Sequence, residues 1–269
     1  MDVGQHAEEI RANREAWDAK PLLRDLYDGF YGRIREQIDF GLDGSIVELG
    51  SGIGNLKLRV AEAVSTDLFP HPWLDLACDG YALPFRDGAL SNLILFDVFH
   101  HLRRPLAFLD EARRALVGGG RLILFEPYIS ATSALAYGPF HHEPIGWRST
   151  IDTRRERYAT RDYYAAQGNA TRIFFRDEIP GWSQGWIVRH RARYADLSYL
   201  LSGGFSKPAL YPRRWLPAIR SLDGALSRLP RLFASRCLVC LEKPAGGQAT
   251  DSASMGGAGA QETLPAGSQ

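Results

Sequence analysis

Sulfur is scarce in this sequence, with three cysteines and two methionines in 269 residues. Cys78, Cys237 and Cys240 are too few for a disulfide framework or an all-cysteine metal site, and they fit a reducing compartment. Cys237 and Cys240 have the C-x-x-C spacing, but S-R-C-L-V-C-L-E-K reads as a strand, and a strand sends residues three apart to opposite faces. A redox or metal role for that pair is disfavoured. Long apolar runs are missing as well. No stretch approaches the roughly 18 uninterrupted apolar residues of a membrane span, and the opening M-D-V-G-Q-H-A-E-E-I is charged where a secretory leader is apolar. A soluble, cytoplasmic protein is the expectation. Charge of one sign is also lacking: Lys+Arg 32 against Asp+Glu 31 leaves +1, which disfavours a protein that coats nucleic acid.

Apolar material is plentiful, with 45% hydrophobic residues, enough to bury a sizeable core. Short apolar runs, S-I-V-E-L-G (45–50), A-V-S-T-D (63–67), W-L-D-L-A-C (73–78), N-L-I-L-F-D (92–97) and R-L-I-L-F-E (121–126), alternate with helical patterns. Parallel strands need crossover connections and helices are the usual crossover, so the alternation predicts an α/β fold with a doubly wound, mostly parallel sheet. Ligands then sit at the C-terminal ends of the strands. Leu22, Leu26, Phe30 and Ile34 recur at spacings of three and four, predicting an amphipathic helix that packs on the domain or covers a cleft. Pro105–Leu116 reads as a helix capped at Gly118, Gly119 and Gly120. Beyond residue 150 the expected elements are a helix over Ala159–Ala170, a strand over 186–191, a helix over Ala195–Leu201 and a last strand over Arg236–Leu241. The division that follows is an N-terminal helical extension or lid (1–43), a main domain (44–244) with a substrate-side insertion at about 127–185, and a disordered Gly/Ala/Ser tail (245–269).

Chemistry concentrates in I-V-E-L-G-S-G-I-G-N-L-K. Gly50, Gly52 and Gly54 follow a buried strand, and glycines there let backbone amides approach a ligand. Asn55 stands where the dinucleotide fingerprint has its last glycine, and the carboxylate of Glu48 would repel a pyrophosphate, so a nicotinamide-dependent oxidoreductase is disfavoured. Asp67 and Asp79 each end an apolar run, where a ligand with an amino group, a ribose and an adenine needs acceptors; loop solubility is the blander explanation of each.

These residues resemble the class I S-adenosylmethionine-dependent methyltransferases, within the group called methyltransferase domain family 11. The matching motifs are E-L-G-S-G-I-G (48–54), S-T-D (65–67), C-D-G-Y-A-L-P-F (78–85), F-D-V-F-H-H-L (96–102) and E-A-R-R-A-L-V-G-G-G-R-L (111–122), in order and in register. The resemblance implies a seven-stranded sheet whose last strand, in R-C-L-V-C-L-E-K, is antiparallel. It implies that Gly50, Gly52 and Gly54 lie beneath the methionine moiety of S-adenosyl-L-methionine, with Glu48 near its amino group. Asp67 would accept from the ribose hydroxyls and Asp79 from the adenine amine. Gly80 would wall the adenine, and Phe96 and Asp97 would border the methyl-donor sulfur. The short interval from Gly54 to Asp67 leaves room only for a brief helix.

Methyl transfer by in-line displacement requires positioning and, for an oxygen or nitrogen acceptor, a proton acceptor. Histidine is the usual choice, and the candidates are His100, with its neighbour His101, and the pair His141 and His142. Consecutive residues are not expected to face one site together. Glu126, ending the fifth strand, could accept from a substrate hydroxyl, fix a histidine tautomer or pair with an arginine. No metal set is expected, because H-H-E at 141–143 is too compact for H-E-x-x-H. Arginines alternate with leucines over 213–236, so that segment is expected to pack on the core or to touch an anionic membrane peripherally. The acceptor is expected to be a small molecule or lipid- or glycan-linked; a non-catalytic methyltransferase-like binding protein is the alternative.

Overall fold

The computed structural model describes residues 3–140, 143–156 and 164–246. Two helices, α1 (Val3–Ala19) and α2 (Pro21–Arg35), precede β1 (Ser45–Leu49). The chain continues through β2 (Val64–Asp67), β3 (Leu76–Ala77), β4 (Leu90–Phe96), α3 (Pro105–Ala115), β5 (Leu116–Pro127), α4 (Ala131–Phe140) and α5 (Asn169–Arg176). It finishes with β6 (Ile187–Tyr194), α6 (Leu197–Ser202), α7 (Leu216–Leu226), α8 (Pro230–Phe233) and β7 (Arg236–Glu242). The seven strands form one sheet in the order β3-β2-β1-β4-β5-β7-β6. Strands β1 to β5 pair in parallel, and β7 runs antiparallel to both β5 and β6.

Period-two alternation sends the central strands to two cores. On one face Leu93, Leu95, Leu122, Leu124 and Cys237 pack under Leu109 and Ala112 of α3 and Ile173 and Phe174 of α5. On the other, Ile94, Ile123, Phe125 and Cys240 pack under Leu23, Tyr27, Phe30 and Ile34 of α2. Cys237 and Cys240 therefore do lie on opposite faces of β7, and all three cysteines are unbridged.

Several local expectations are corrected. The 73–78 run supplies only a two-residue exposed edge strand, because its apolar residues lie outside the buried centre of the sheet. Glycines 118–120 do not cap α3. That helix ends directly into extended backbone at Leu116, and the glycines belong to β5, where the Gly119 amide donates to the Lys243 carbonyl. The helix expected over Ala159–Ala170 begins instead at Asn169; residues 157–163 lie outside the described set. Helix α1 had no clear periodicity, and its buried anchor is Ile10. A four-residue 3-10 helix, Asn55–Leu58, is all that fits between Gly54 and β2. Most of the expected tail, from residue 247, is outside the described residues, as are His141 and His142.

Candidate active site

Strand order reverses between β1 and β4, with β2 and β3 laid outward on one side and β5, β7 and β6 on the other. In an open α/β sheet the crevice at such a switch point is where ligands bind. The bend after β1 sits there. Gly50, Gly52 and Gly54 have φ of 71°, 52° and 74°, the left-handed region that favours glycine. A Cβ on Gly50 would lie 2.4 Å from Val98 Cγ2, so the bend and the loop after β4 are in close contact. At Gly52 a Cβ would meet only Ile10 Cδ1, at 3.6 Å, which places α1 over the bend.

The acids converge on this bend. Asp67 at the end of β2 accepts from the Gly52 amide at 2.9 Å and from the Leu68 amide at 2.7 Å. Trp73 closes the other side, its indole donating to the Gly52 carbonyl at 2.9 Å while the Arg14 guanidinium of α1 lies 4.2 Å above its ring. Asp79 shapes its own turn by accepting from the Tyr81 amide, and Gly80 lies against Leu49 of β1. Glu48 is buried, and its Oε2 has no hydrogen-bond partner among the described residues. Burial pushes its carboxyl up to about 8, helped by the nearby charge of Asp67 and opposed by a bond from Ser51. A buried carboxyl with an orphaned oxygen beside a left-handed glycine bend is a fit for a ligand ammonium group. The residues present thus suit S-adenosyl-L-methionine.

Phe96 and Asp97 lead away from that bend into an aromatic cluster. Phe96 stacks on Tyr27 at 5.3 Å between centroids and packs against Phe30, Tyr31 and Phe125. Asp97 has a left-handed φ of 57° and pairs with Arg236. The Arg236 guanidinium is buried among aromatic rings, 4.9 Å from the centroid of Tyr199. Burial raises the Asp97 carboxyl, and Arg236 opposes that rise. Sequence reasoning missed Arg236, Tyr27 and Tyr199. The only available signal for Arg236 was the antiparallel last strand, which sets it opposite Pro127.

A second polar cluster lies behind the loop after β4. Glu126, fully buried at the end of β5, accepts from the amides of Val98, Phe99 and His100 at 2.8, 2.7 and 3.3 Å, and from His100 Nδ1 at 2.7 Å. Of its three anticipated contacts the described residues show the one to a histidine ring; the arginine pairing falls to Asp97. The other face of His100 meets Glu143, Nε2 to Oε2 at 3.5 Å. Burial pulls the His100 imidazole down, but the two carboxylates outweigh it and leave the group at about 10. A value that high favours the imidazolium at neutral pH, a charged donor rather than a proton acceptor. His101 goes the other way, to about 4, through burial and the adjacent His100 charge. Its Nδ1 lies 2.9 Å from the Tyr164 carbonyl, and its Nε2 is 3.6 Å from Glu143 Oε1. The two consecutive rings therefore do converge on one group, against expectation, because the tight 3-10 turn Phe99–His101 tilts them together with centroids 4.1 Å apart.

Residues 48–124 match the family model Methyltransf_11, described as a methyltransferase domain. No curated protein sequence matches the chain. Among solved structures, the chain is similar to the 4+2 cyclase SpnF, with 16% identity over 81% of this chain and 82% of that one at a TM-score of 0.48. Geranyl diphosphate C-methyltransferase from Streptomyces coelicolor A3(2) gives 13% identity over 82% and 80%, at 0.47. A methyltransferase of Bacillus halodurans C-125, itself assigned without proof, gives 15% over 80% and 99%, at 0.45. The matched segment spans the glycine bend, Asp67, Asp79 and the loop after β4. Within the seven-stranded sheet, the segment that carries the glycine bend and the acids at the strand ends is thus the one that matches a methyltransferase domain.

Proposed function

We propose that the protein transfers the methyl group of S-adenosyl-L-methionine to an oxygen or nitrogen of a small or lipid-linked acceptor, by direct in-line displacement. The observation that carries this reading is Glu48 Oε2, without a hydrogen-bond partner among the described residues, beside the three left-handed glycines, with Asp67 bonded to the same bend. The sulfonium donor supplies both the activated carbon and the leaving group when bound. The chain has to bind it, orient an acceptor and exclude water. Ile10 of α1 and Trp73 cover the bend, and Phe96, Tyr27 and the Asp97–Arg236 pair form a dry wall toward the acceptor side. Glu126 and His100 act as positioning residues that fix the loop running from Asp97 to His101. With His100 protonated, His141 and His142, adjacent in sequence to Glu143, are the histidines proposed to take the acceptor's proton.

The surface after α6 supports the lipid-linked form of the acceptor. No helix among the described residues is long and apolar enough to cross a membrane. Leu210, Trp215, Leu222, Leu229 and Leu232 are nevertheless all exposed, interspersed with exposed Arg214, Arg228 and Arg231. Apolar side chains set among arginines suit an anionic bilayer surface.

Titration calorimetry with S-adenosyl-L-methionine tests the binding claim. The wild type is expected to bind one equivalent. Gly52→Val, whose left-handed φ penalises a branched side chain, is expected to lose at least 100-fold in affinity while its circular dichroism is preserved. Labelled methyl transfer to lipid extracts and to small hydroxyl and amine compounds then tests the acceptor. Unaltered binding by Gly52→Val would remove the bend from the site.

A further inference from the structure

We propose that His100, His101 and Glu143 form a binding site for one divalent transition-metal ion of the zinc class, linking the loop after β4 to the segment between β5 and β6. The proposal stands apart from methyl transfer, since it concerns atoms that the cofactor bend does not use.

Three donors of the right kind already converge. One ligand atom from each residue lies within 4.8 Å of the others. His100 Nε2 to Glu143 Oε2 is 3.5 Å and His101 Nε2 to Glu143 Oε1 is 3.6 Å. Both exceed the usual hydrogen-bond length. They are close to the separation of about 3.4 Å between two atoms each about 2.1 Å from a tetrahedral ion.

The surrounding groups are those that support metal-bound imidazoles. A ligating histidine generally donates its second ring N–H to a carboxylate or a carbonyl, which fixes the tautomer and turns the other nitrogen to the metal. Here His100 Nδ1 is held by Glu126 at 2.7 Å, and Glu126 is itself fixed by three backbone amides. His101 Nδ1 is 2.9 Å from the Tyr164 carbonyl, which can only accept, so Nδ1 carries the hydrogen and Nε2 the lone pair. Glu143 is oriented by a 2.7 Å bond from Gln167 Nε2. Both histidines thus present Nε2 toward the same carboxylate, one tied to an acid and the other to a carbonyl.

Two imidazoles and one carboxylate select zinc, cobalt or nickel over magnesium and calcium, which prefer all-oxygen sets. Three protein ligands leave a fourth position for water. On binding, the ion takes the place of the His100 Nε2 proton, which is released to solvent, so charge and protons balance.

The test uses tag-free full chain, stripped with a chelator and titrated calorimetrically with Zn2+, with Co2+ as a spectroscopic probe. One Zn2+ per chain at micromolar affinity or better is expected, with a rise in melting temperature and the visible absorption of four-coordinate Co2+. Glu143→Gln and His101→Asn are each expected to weaken Zn2+ at least 100-fold. Glu126→Gln should weaken it about 10- to 100-fold, and His6→Gln should leave it unchanged. Circular dichroism of each stripped variant separates loss of a ligand from loss of the fold, and Glu143→Gln, at the edge of the cluster, is the variant least exposed to that problem. Absence of stoichiometric Zn2+ and Co2+ binding by the folded wild type would overturn the proposal. So would equal affinity in folded Glu143→Gln and His101→Asn, or binding of Mg2+ in preference to Zn2+.

Discussion

Two buried glutamates end two strands of the same sheet, and their surroundings differ in kind. Glu126, at the end of β5, accepts three backbone amides and an imidazole, so its charge is met from within the chain. Glu48, near the end of β1, has an oxygen with no hydrogen-bond partner among the described residues and a carboxyl raised to about 8. A fully met acid holds a loop in place, whereas an unmet one is stabilised when a cation arrives. On the proposed function, the end of β5 serves architecture and the end of β1 a ligand.

Breaking the met acid should cost most. Glu126→Ala leaves the amides of Val98, Phe99 and His100 and the His100 imidazolium without their acceptor, and loss of one partner from a buried charged pair typically costs about 3–5 kcal/mol. Urea denaturation is expected to show a loss of that size, and a change under about 1 kcal/mol would contradict the architectural role. Glu48 sharpens the contrast through pH. Its folded-state value of about 8 lies above the ordinary 4.5, so the folded state holds a proton that the unfolded state releases between these values. Stability should accordingly fall as pH rises from about 4.5 to about 8 and level off above, by a few kcal/mol at most given about 1.36 kcal/mol per pKa unit. Glu48→Gln should flatten that slope, and saturating S-adenosyl-L-methionine, by favouring the ionised acid, should reduce it in the wild type. Denaturation midpoints across this range with and without ligand are the measurement; a rising slope would reverse the assignment. The smallest effect is at Asp67, which accepts from the Gly52 and Leu68 amides. Asp67→Ala should weaken cofactor affinity by about 1–3 kcal/mol in calorimetry, and an unchanged constant would remove it from the ribose.

The cofactor half of the site was legible because its parts are local. Gly50, Gly52 and Gly54 lie in one short loop, their backbone demands a residue type, and Glu48 and Asp67 sit at fixed offsets from strand ends. The other half was not. His100 and His101 were visible as residues, but the upward shift of His100 comes from Glu126 and Glu143, which are 26 and 43 positions from it along the chain, and the downward shift of His101 from burial and from His100. Arg236 reaches Asp97 across 139 residues, and no local pattern announces such a pair. The glycines at 118–120 misled because a glycine run after a helical pattern resembles a cap, whereas here the run lies inside β5 and only Gly119 is left-handed, at 83°.

By itself the sequence determined the alternation of strands and helices, the left-handed bend and the acids at strand ends, since each follows from short-range periodicity or from one residue's backbone preference. Tertiary structure alone decided the protonation of His100, the pairing of Arg236 with Asp97 and the meeting of two adjacent histidines on Glu143. Those depend on burial and on charges brought together from distant segments, and the energy of a buried charge is set by neighbours in space.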